Sequence, residues 1–351
     1  MSRKSVSSLE VAKHAGVSQA TVSYVLNPRE GQSISSATRQ RVLDAVKELN
    51  YRPNRLANGV LRGKTNIIGV CASFLGSDFH STVLKDVCAV LSDAGYHTFV
   101  SWSKRTPQEQ AKEVDLLMQH RVDGIIYMPA NDFPREDAHL WLRGIVAEGA
   151  SCVIIDDRTN SDLVDCVVSD DVSGAALAVD HLISLGHKRI AFWSNVWDGS
   201  GYRDRLQGYA NALAAAGIPV DPAICAKFPL DARDTARELH RFLRMPDPPT
   251  AFFMTNDITA MIVRHAAQDT GVRVPEDIAV VGYSNQDYAY FNDLTSISQN
   301  PGTMGRAAAN LLLQRLQAPD SPTVIEYVPT ELVVRGSTVP QPVVNRFNAV
   351  D

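Results

Sequence analysis

Residues 7–27 read Ser7-Ser8-Leu9-Glu10-Val11-Ala12-Lys13-His14-Ala15-Gly16-Val17-Ser18-Gln19-Ala20-Thr21-Val22-Ser23-Tyr24-Val25-Leu26-Asn27. Ser7 followed by Glu10 predicts a helix opened by a capping box, with Glu10 at N3 reaching back to the cap. Leu9, Ala12 and Ala15 are expected inward, and Gly16 stops the helix because glycine tolerates the left-handed conformation of a C-terminal cap. After Val17, Ser18 caps a second helix in which Val22, Val25 and Leu26 share one apolar face. Gln19, Ala20, Thr21, Ser23 and Tyr24 fall on the other side. A third helix, roughly Ser36 to Asn50, turns Val42, Ala45, Val46 and Leu49 inward and Arg39, Arg41 and Lys47 outward. Two short helices joined by a tight turn fit helix-turn-helix geometry.

The outer face of the second helix has the chemistry of a base reader. Gln19 can bond an adenine edge in bidentate fashion, and Ala20 can meet a thymine methyl. Thr21 and Ser23 are of the type that donates to phosphates. Charge adds to this. The whole chain carries 34 Lys and Arg against 39 Asp and Glu, a net of −5, yet residues 1–64 hold eleven basic and four acidic side chains. The other 287 residues hold 23 and 35. A basic head on an acidic body suits a polyanion met by the head alone. A merely solvated three-helix bundle satisfies the same spacing and charge.

Length and composition exclude several classes. A chain of 351 residues is too long for one compact domain. No apolar run approaches a membrane span, and no apolar stretch follows the basic N-terminus, so a cytoplasmic protein is expected. Five cysteines (Cys71, Cys88, Cys152, Cys166 and Cys225) lack CxxC spacing, which speaks against a disulfide framework or a zinc site.

From Asn66 onward, apolar β-branched runs alternate with helical stretches. Strands are expected at Ile67–Ala72, His97–Trp102, Val122–Tyr127, Cys152–Asp156, Arg189–Trp193, Thr250–Met254 and Ile278–Gly282, with a helix at Thr82–Leu91 among those between them. That alternation predicts parallel, doubly wound sheets, and the length suits two lobes. Such a body can serve an enzyme, but it carries no GxGxxG after the first strand, no GxxxxGK[ST], no HExxH and no GxSxG. His181 and His187 are six apart, not the spacing of a helical metal pair. Asp170-Asp171 suits helix capping. No metal, cofactor or catalytic residue is expected.

The runs at residues 9–27 and 35–54 resemble the N-terminal domain of the lac repressor/purine repressor family of bacterial transcriptional regulators. The similarity continues through VIIDDR (153–158), SDDVSGAALAVDHL (169–182), LGHKRIAF (185–192), YRDRLQGY (202–209), TNDITAM (255–261), VPEDIAVVGYSN (274–285) and TELVVRGST (330–338). It implies a small all-α head at 1–52 and a hinge segment at 53–64. It further implies an α/β, two-lobed, periplasmic-binding-protein-like body at 65–338 and a tail at 339–351. Lobe one is expected at about 65–168 plus 299–323, and lobe two at about 169–298 plus 324–338.

By the same resemblance, Gln19, Ala20 and Tyr24 read bases, while Ser18, Thr21, Ser23 and Asn27 complete the DNA surface of the head. Asn54, Arg55, Ala57, Val60 and Leu61 would serve a hinge helix that wedges the minor groove. The family pattern Ala-Arg-Ser-Leu is here Ala57-Asn58-Gly59-Val60, with Leu61 one place later. The effector set carried over is Phe79, His80, Asp157, Arg205, Phe253, Asn256 and Ser284, with Trp193 and Trp197 nearby. Carboxylate, amide and guanidinium suit a polyol, and a phenyl ring can cover an apolar sugar face. Ser284 stands where many relatives have aspartate. The resemblance therefore implies a repressor that binds a near-palindromic operator as a homodimer under control of a small ligand: a sugar, or a purine or nucleoside. The tail has no leucine heptads for a tetramer. A sugar-binding protein without DNA function is the alternative, which the basic head opposes.

Overall fold

A computed structural model describes residues 6–26, 34–52, 64–72, 76, 78–102, 106–129, 142–194, 199–227 and 232–339. The chain divides into two compact units, 1–65 and 66–351.

Among its described residues the first unit has three helices: α1 (Ser8–Ala15), α2 (Gln19–Leu26) and α3 (Ser36–Glu48). The capping box forms, Glu10 N donating to Ser7 Oγ at 3.3 Å and Ser7 N to Glu10 Oε2 at 2.6 Å. Gly16 takes φ +63°. Ser35 caps α3 by accepting from Thr38 N. Val11, Ala12, Ala15, Val22, Val25, Val42 and Ala45 form the core, with Leu26, Val46 and Leu49 packed at its edge. Leu9 is a correction. It is 50% exposed, and Val11 takes the inward place. At about 100° per residue, Leu9 lies roughly 110° from the centre of the Val11/Ala12/Ala15 face, whereas Ser8 lies on that face.

The second unit contains two six-stranded sheets. The first has the order β11-β5-β4-β3-β1-β2, all parallel. Its strands are β1 (Ile67–Ala72), β2 (His97–Trp102), β3 (Gly124–Met128), β4 (Ser151–Ile155), β5 (Asp165–Ser169) and β11 (Ile325–Val328). The second has the order β12-β10-β9-β8-β6-β7. It comprises β6 (Ile190–Ser194), β7 (Cys225–Lys227), β8 (Ala251–Met254), β9 (Ala279–Ser284), β10 (Thr295–Ser298) and β12 (Glu331–Val333). Among the described strands only β12 is antiparallel, to β10.

Helices cover both faces of each sheet, which is why β1, β3, β5, β6 and β8 are buried at every residue. Around the first sheet these include α4 (Asp78–Asp93) and α5 (Pro107–Gln119). Around the second they include α6 (Asp171–Ser184), α7 (Ser200–Ala215), α8 (Ala232–Leu243) and α9 (Asp257–Asp269). The short α10 (Asp287–Phe291) follows β9, and α11 (Pro301–Gln317) returns to pack on α4 and the first sheet.

The chain crosses between the lobes three times, after β5, after β10 and after β11. The last crossing corrects the sequence boundary: residues 324–328 belong to lobe one, because Ile325–Val328 pairs in parallel with Cys166–Ser169 and covers the β5 edge. Ser169 belongs there for the same reason. In both sheets the strand order reverses beside the first strand, β1 or β6, so a ligand is expected outside the strand C-termini at that point.

Candidate DNA-reading surface and interlobe crevice

On α2, Ser18 Oγ accepts from Thr21 N at 3.1 Å and bonds Thr21 Oγ1 at 2.9 Å, so the cap also fixes the Thr21 hydroxyl. Gln19, Ala20, Ser23 and Tyr24 are exposed and Thr21 is half-buried. No acidic residue lies on this helix. Its N-terminal N–H groups and dipole leave a positive end suited to phosphate. Gln19 Nε2 donates to Ser8 Oγ at 2.8 Å.

In the second unit, the loops at the strand C-termini of the two lobes meet. Asp171, at the first turn of α6, is the hub of a buried network. Its Oδ1 accepts from Ser169 Oγ and from Tyr283 Oη, each at 2.7 Å, and its Oδ2 lies 3.2 Å from Arg205 Nη2. Arg205 Nη1 donates to the Thr255 carbonyl at 2.8 Å, and the guanidinium stacks 3.9 Å from the centre of the Tyr283 ring. Arg205 Nε finds no acceptor among the described residues. Burial works against the Arg205 charge, but Asp171, Tyr283 and Asp156 hold its pKa above the usual value. Burial, then Asp171, pushes the Tyr283 phenol well up. Gly174 makes the packing possible, since a Cβ there would collide with the Tyr283 hydroxyl and with Thr330.

Gln299, on the β10–α11 crossing, spans the lobes. Its Nε2 donates to Ser169 Oγ (3.0 Å) and Asp156 Oδ1 (3.3 Å), and its Oε1 accepts from Ser284 Oγ (2.8 Å). Arg158, after β4, forms a bidentate pair with Asp204 of α7 (3.1 and 2.5 Å), and its backbone N donates to Ser200 Oγ at 3.1 Å. Elsewhere, two pockets of about 270 and 310 Å³ flank the Arg315–Asp165 pair at the N-terminal ends of β4 and β5. They lie at the wrong end of the strands for the crevice, and their wall is a structural tie: Arg315 also donates to the carbonyls of Pro319, Ser321 and Pro322. Among the described residues no cluster of three or more His, Cys, Asp or Glu could hold a metal, and no helix is long and apolar enough to cross a membrane.

Residues 9–54 match the description "Bacterial regulatory proteins, lacI family", and residues 179–338 match "Periplasmic binding protein-like domain". Over 330 residues the chain is 32% identical to HTH-type transcriptional repressor PurR of Photobacterium profundum, covering 93% of this chain and 97% of that one. The chain belongs to the lacI family. It is a DNA-binding transcriptional repressor and not an enzyme. Among solved structures it is similar to a lac repressor dimer bound to operator and the anti-inducer ONPF, with TM-score 0.83, 28% identity and coverage of 95% of this chain and 99% of that one. A transcriptional regulator CelR–cellobiose complex matches with TM-score 0.69 at 28% identity, covering 95% and 99%.

Against this family background the seven effector residues separate. Arg205 sits in the buried network, and Ser284, at φ +105°, joins it through Gln299. Asp157 is half-buried; its Oδ1 accepts from Thr159 N and Oγ1 at 2.7 and 2.5 Å, and its charge helps raise the Arg158 pKa. Asn256 caps α9, accepting from Thr259 N at 2.8 Å. His80 is half-buried, edge-on to Phe79.

Phe79 and Phe253 are corrections. Phe79 is in the core between α4 and the first sheet, and Phe253, on an interior strand, packs on Phe192 and Tyr283. Neither offers a ring face to a sugar. Trp193 is likewise core, against Phe242 and Phe252. Asn27, Asn54, Arg55, Ala57, Val60, Leu61 and Trp197 lie outside the described residues. His181 and His187 make structural bonds to Thr338 and Thr250, and Asp170 caps α6 through Ser173 N. The capping role expected of Asp170-Asp171 holds for Asp170 alone, since Asp171 is bonded to Ser169, Tyr283 and Arg205; Tyr283, Gln299 and the Arg158–Asp204 pair are not singled out by the sequence. The adjacent acids at 170–171 and the tyrosine of GYSN were the available signals.

Proposed function

We propose that the protein binds a near-palindromic operator as a homodimer, and that a hydroxyl-rich ligand, a sugar or sugar derivative, controls operator affinity from the crevice between the lobes. The crevice reading is carried by Arg205, buried and charged among Asp171 and Tyr283, with its Nε left without an acceptor. A buried unmatched N–H favours an incoming oxygen. The cellobiose complex of the similar CelR regulator supports the sugar class. Because other relatives are named PurR, purines and nucleosides belong in the same ligand screen.

The dimer is supported by two-fold reading, since one recognition helix covers a half-site, and by the apolar surface left on one chain. Edge strand β2 exposes Phe99, Val100 and Trp102 (58% for the last), and α10 exposes Tyr290 and Phe291 (79% for the last). A second copy of the chain is the occupant that would cover them. Reading operator DNA places the work in the cytoplasm. Ligand control is a population shift: the ligand binds one lobe arrangement more tightly and so changes its share. Arg158–Asp204 and Gln299 are the ties across which the lobes would move.

Selection of randomised duplexes of about 25 bp by the full chain, a length that spans two half-sites, tests this reading. A recovered palindrome is expected. Its affinity should fall linearly with salt on logarithmic axes, and a sugar should shift it. Salt-insensitive binding, or none with or without ligands, overturns the proposal.

A further inference from the structure

A side-chain bond joins the N-termini of α1 and α2, Gln19 Nε2 to Ser8 Oγ at 2.8 Å. Ser8 is not needed to start α1. That cap is Ser7, whose hydroxyl accepts from Glu10 N. Ser8 is instead half-buried on the face that α1 turns toward α2, and its hydroxyl meets the amide of the first residue of the recognition helix.

A glutamine amide has two N–H donors and one carbonyl acceptor. With one N–H held by Ser8, the second N–H and the carbonyl remain. These are the two groups that a bidentate contact to adenine requires. An unheld glutamine on an exposed helix end would have to order three side-chain torsions at the moment of binding.

We propose that Ser8 is a positioning residue for sequence reading: its hydroxyl holds the Gln19 amide so that an N–H and a C=O face the base edge together. This rests on the operator-binding reading and on the base-reading role that the family resemblance implies for Gln19. Ser8 acts through Gln19 and touches no base itself.

The test uses the full chain and duplexes carrying the selected operator with single base-pair changes. Gln19→Ala identifies the base pair that Gln19 reads. Ser8→Ala is expected to weaken preference at that same base pair by about three- to tenfold, the factor for leaving one rotamer-rich side chain unordered. In the Gln19→Ala background it should change nothing further. Ser8→Thr, which keeps a hydroxyl, should restore preference. The salt slope should stay as it was, because no charge is altered, and helix content should be unchanged, because the Ser7 cap remains.

A Ser8→Ala effect at a different base pair, an effect that adds to that of Gln19→Ala, or no effect at all overturns the proposal while leaving Gln19 as a reader. A fall in helix content or melting temperature that accounts for the loss overturns it as well. If Gln19→Ala flattens no base pair, the underlying reading fails, and the Ser8 role fails with it.

Discussion

In the head, the polar side chains proposed to meet DNA stand in solvent on a helix whose other face is packed. In the crevice, the polar side chains are bonded to one another beneath the surface. Gln19, Ala20, Ser23 and Tyr24 are exposed, and truncating any of them removes a contact without leaving a buried charge. Asp171, Arg205 and Tyr283 are buried together, so each holds the others in place and a single loss exposes a defect. The head can therefore change its sequence preference at little cost to its fold. The crevice can change its ligand only if stability changes too.

The sharpest break of that comparison is Arg205→Ala. It leaves Asp171 buried at 4% exposure without its cation, and breaking a buried pair from one side costs about 3–5 kcal/mol. Urea unfolding should register that loss, ligand titration should lose its response, and ligand-free operator affinity should stay as it was. Unchanged stability would show that the pair is not what holds the network.

A second test uses pH. Asp257, at the start of α9, accepts from Ser296 Oγ at 2.5 Å and Gln286 N at 3.0 Å. Burial lifts its carboxyl to about 7, against the pull of Ser296, Gln286 and Arg335. In the unfolded chain the group titrates near 3.9, so between about pH 4 and 7 the fold keeps a proton that the unfolded chain has released. The Asp257 contribution to stability therefore falls as pH rises through that window and levels off above the folded value, while His181 and His187, whose pKa values burial lowers, contribute in the opposite direction. Asp277, held at about 2 by the exposed Arg273, titrates below the window. Asp257→Asn should flatten the fall in urea midpoint. An identical fall in both proteins would assign it to another group.

On the head side the expected effect is smaller and of another kind. Gln19→Ala should cost about 1–3 kcal/mol on the selected operator and relax preference at one base pair, with melting unchanged because Gln19 is exposed. Equal weakening on every duplex would make Gln19 a backbone contact.

The same contrast explains what the sequence made legible. Helix caps and inward faces depend on residues three or four apart, so Ser7, Gly16, Ser18, Val22 and Val42 could be read directly. Apolarity alone puts Leu9 inward, whereas the first turn aims Ser8 at the core and Leu9 away. The crevice depends on distant pairs: Asp171 meets Arg205 across 34 positions and Tyr283 across 112. Locally, Asp170-Asp171 reads as two caps. Phe79 opens the helix after β1 and Phe253 stands near the end of β8, and only the packing of α4 and of Phe192 reveals them as core. The lobe boundary at 324 failed because β11, four residues long, acquires its place from pairing with β5 and not from its own pattern.

The smallest expected effect probes whether the head's cap and its reading surface are independent. Ser7 Oγ and Glu10 close the capping box at the start of α1, and replacing an N-cap serine by alanine costs about 1 kcal/mol. Ser7→Ala should lower the head's melting temperature. Preference on the operator should hold, because Val11, Ala12 and Ala15 still seat α1 against the core residues of α2 and α3. Thermal unfolding of the full chain followed on the head, run beside the duplex panel, separates the two readouts. If preference falls along with stability, α1 orders the reading helix through its whole first turn, and the division between a packed face and a free reading face does not hold at that end of the head.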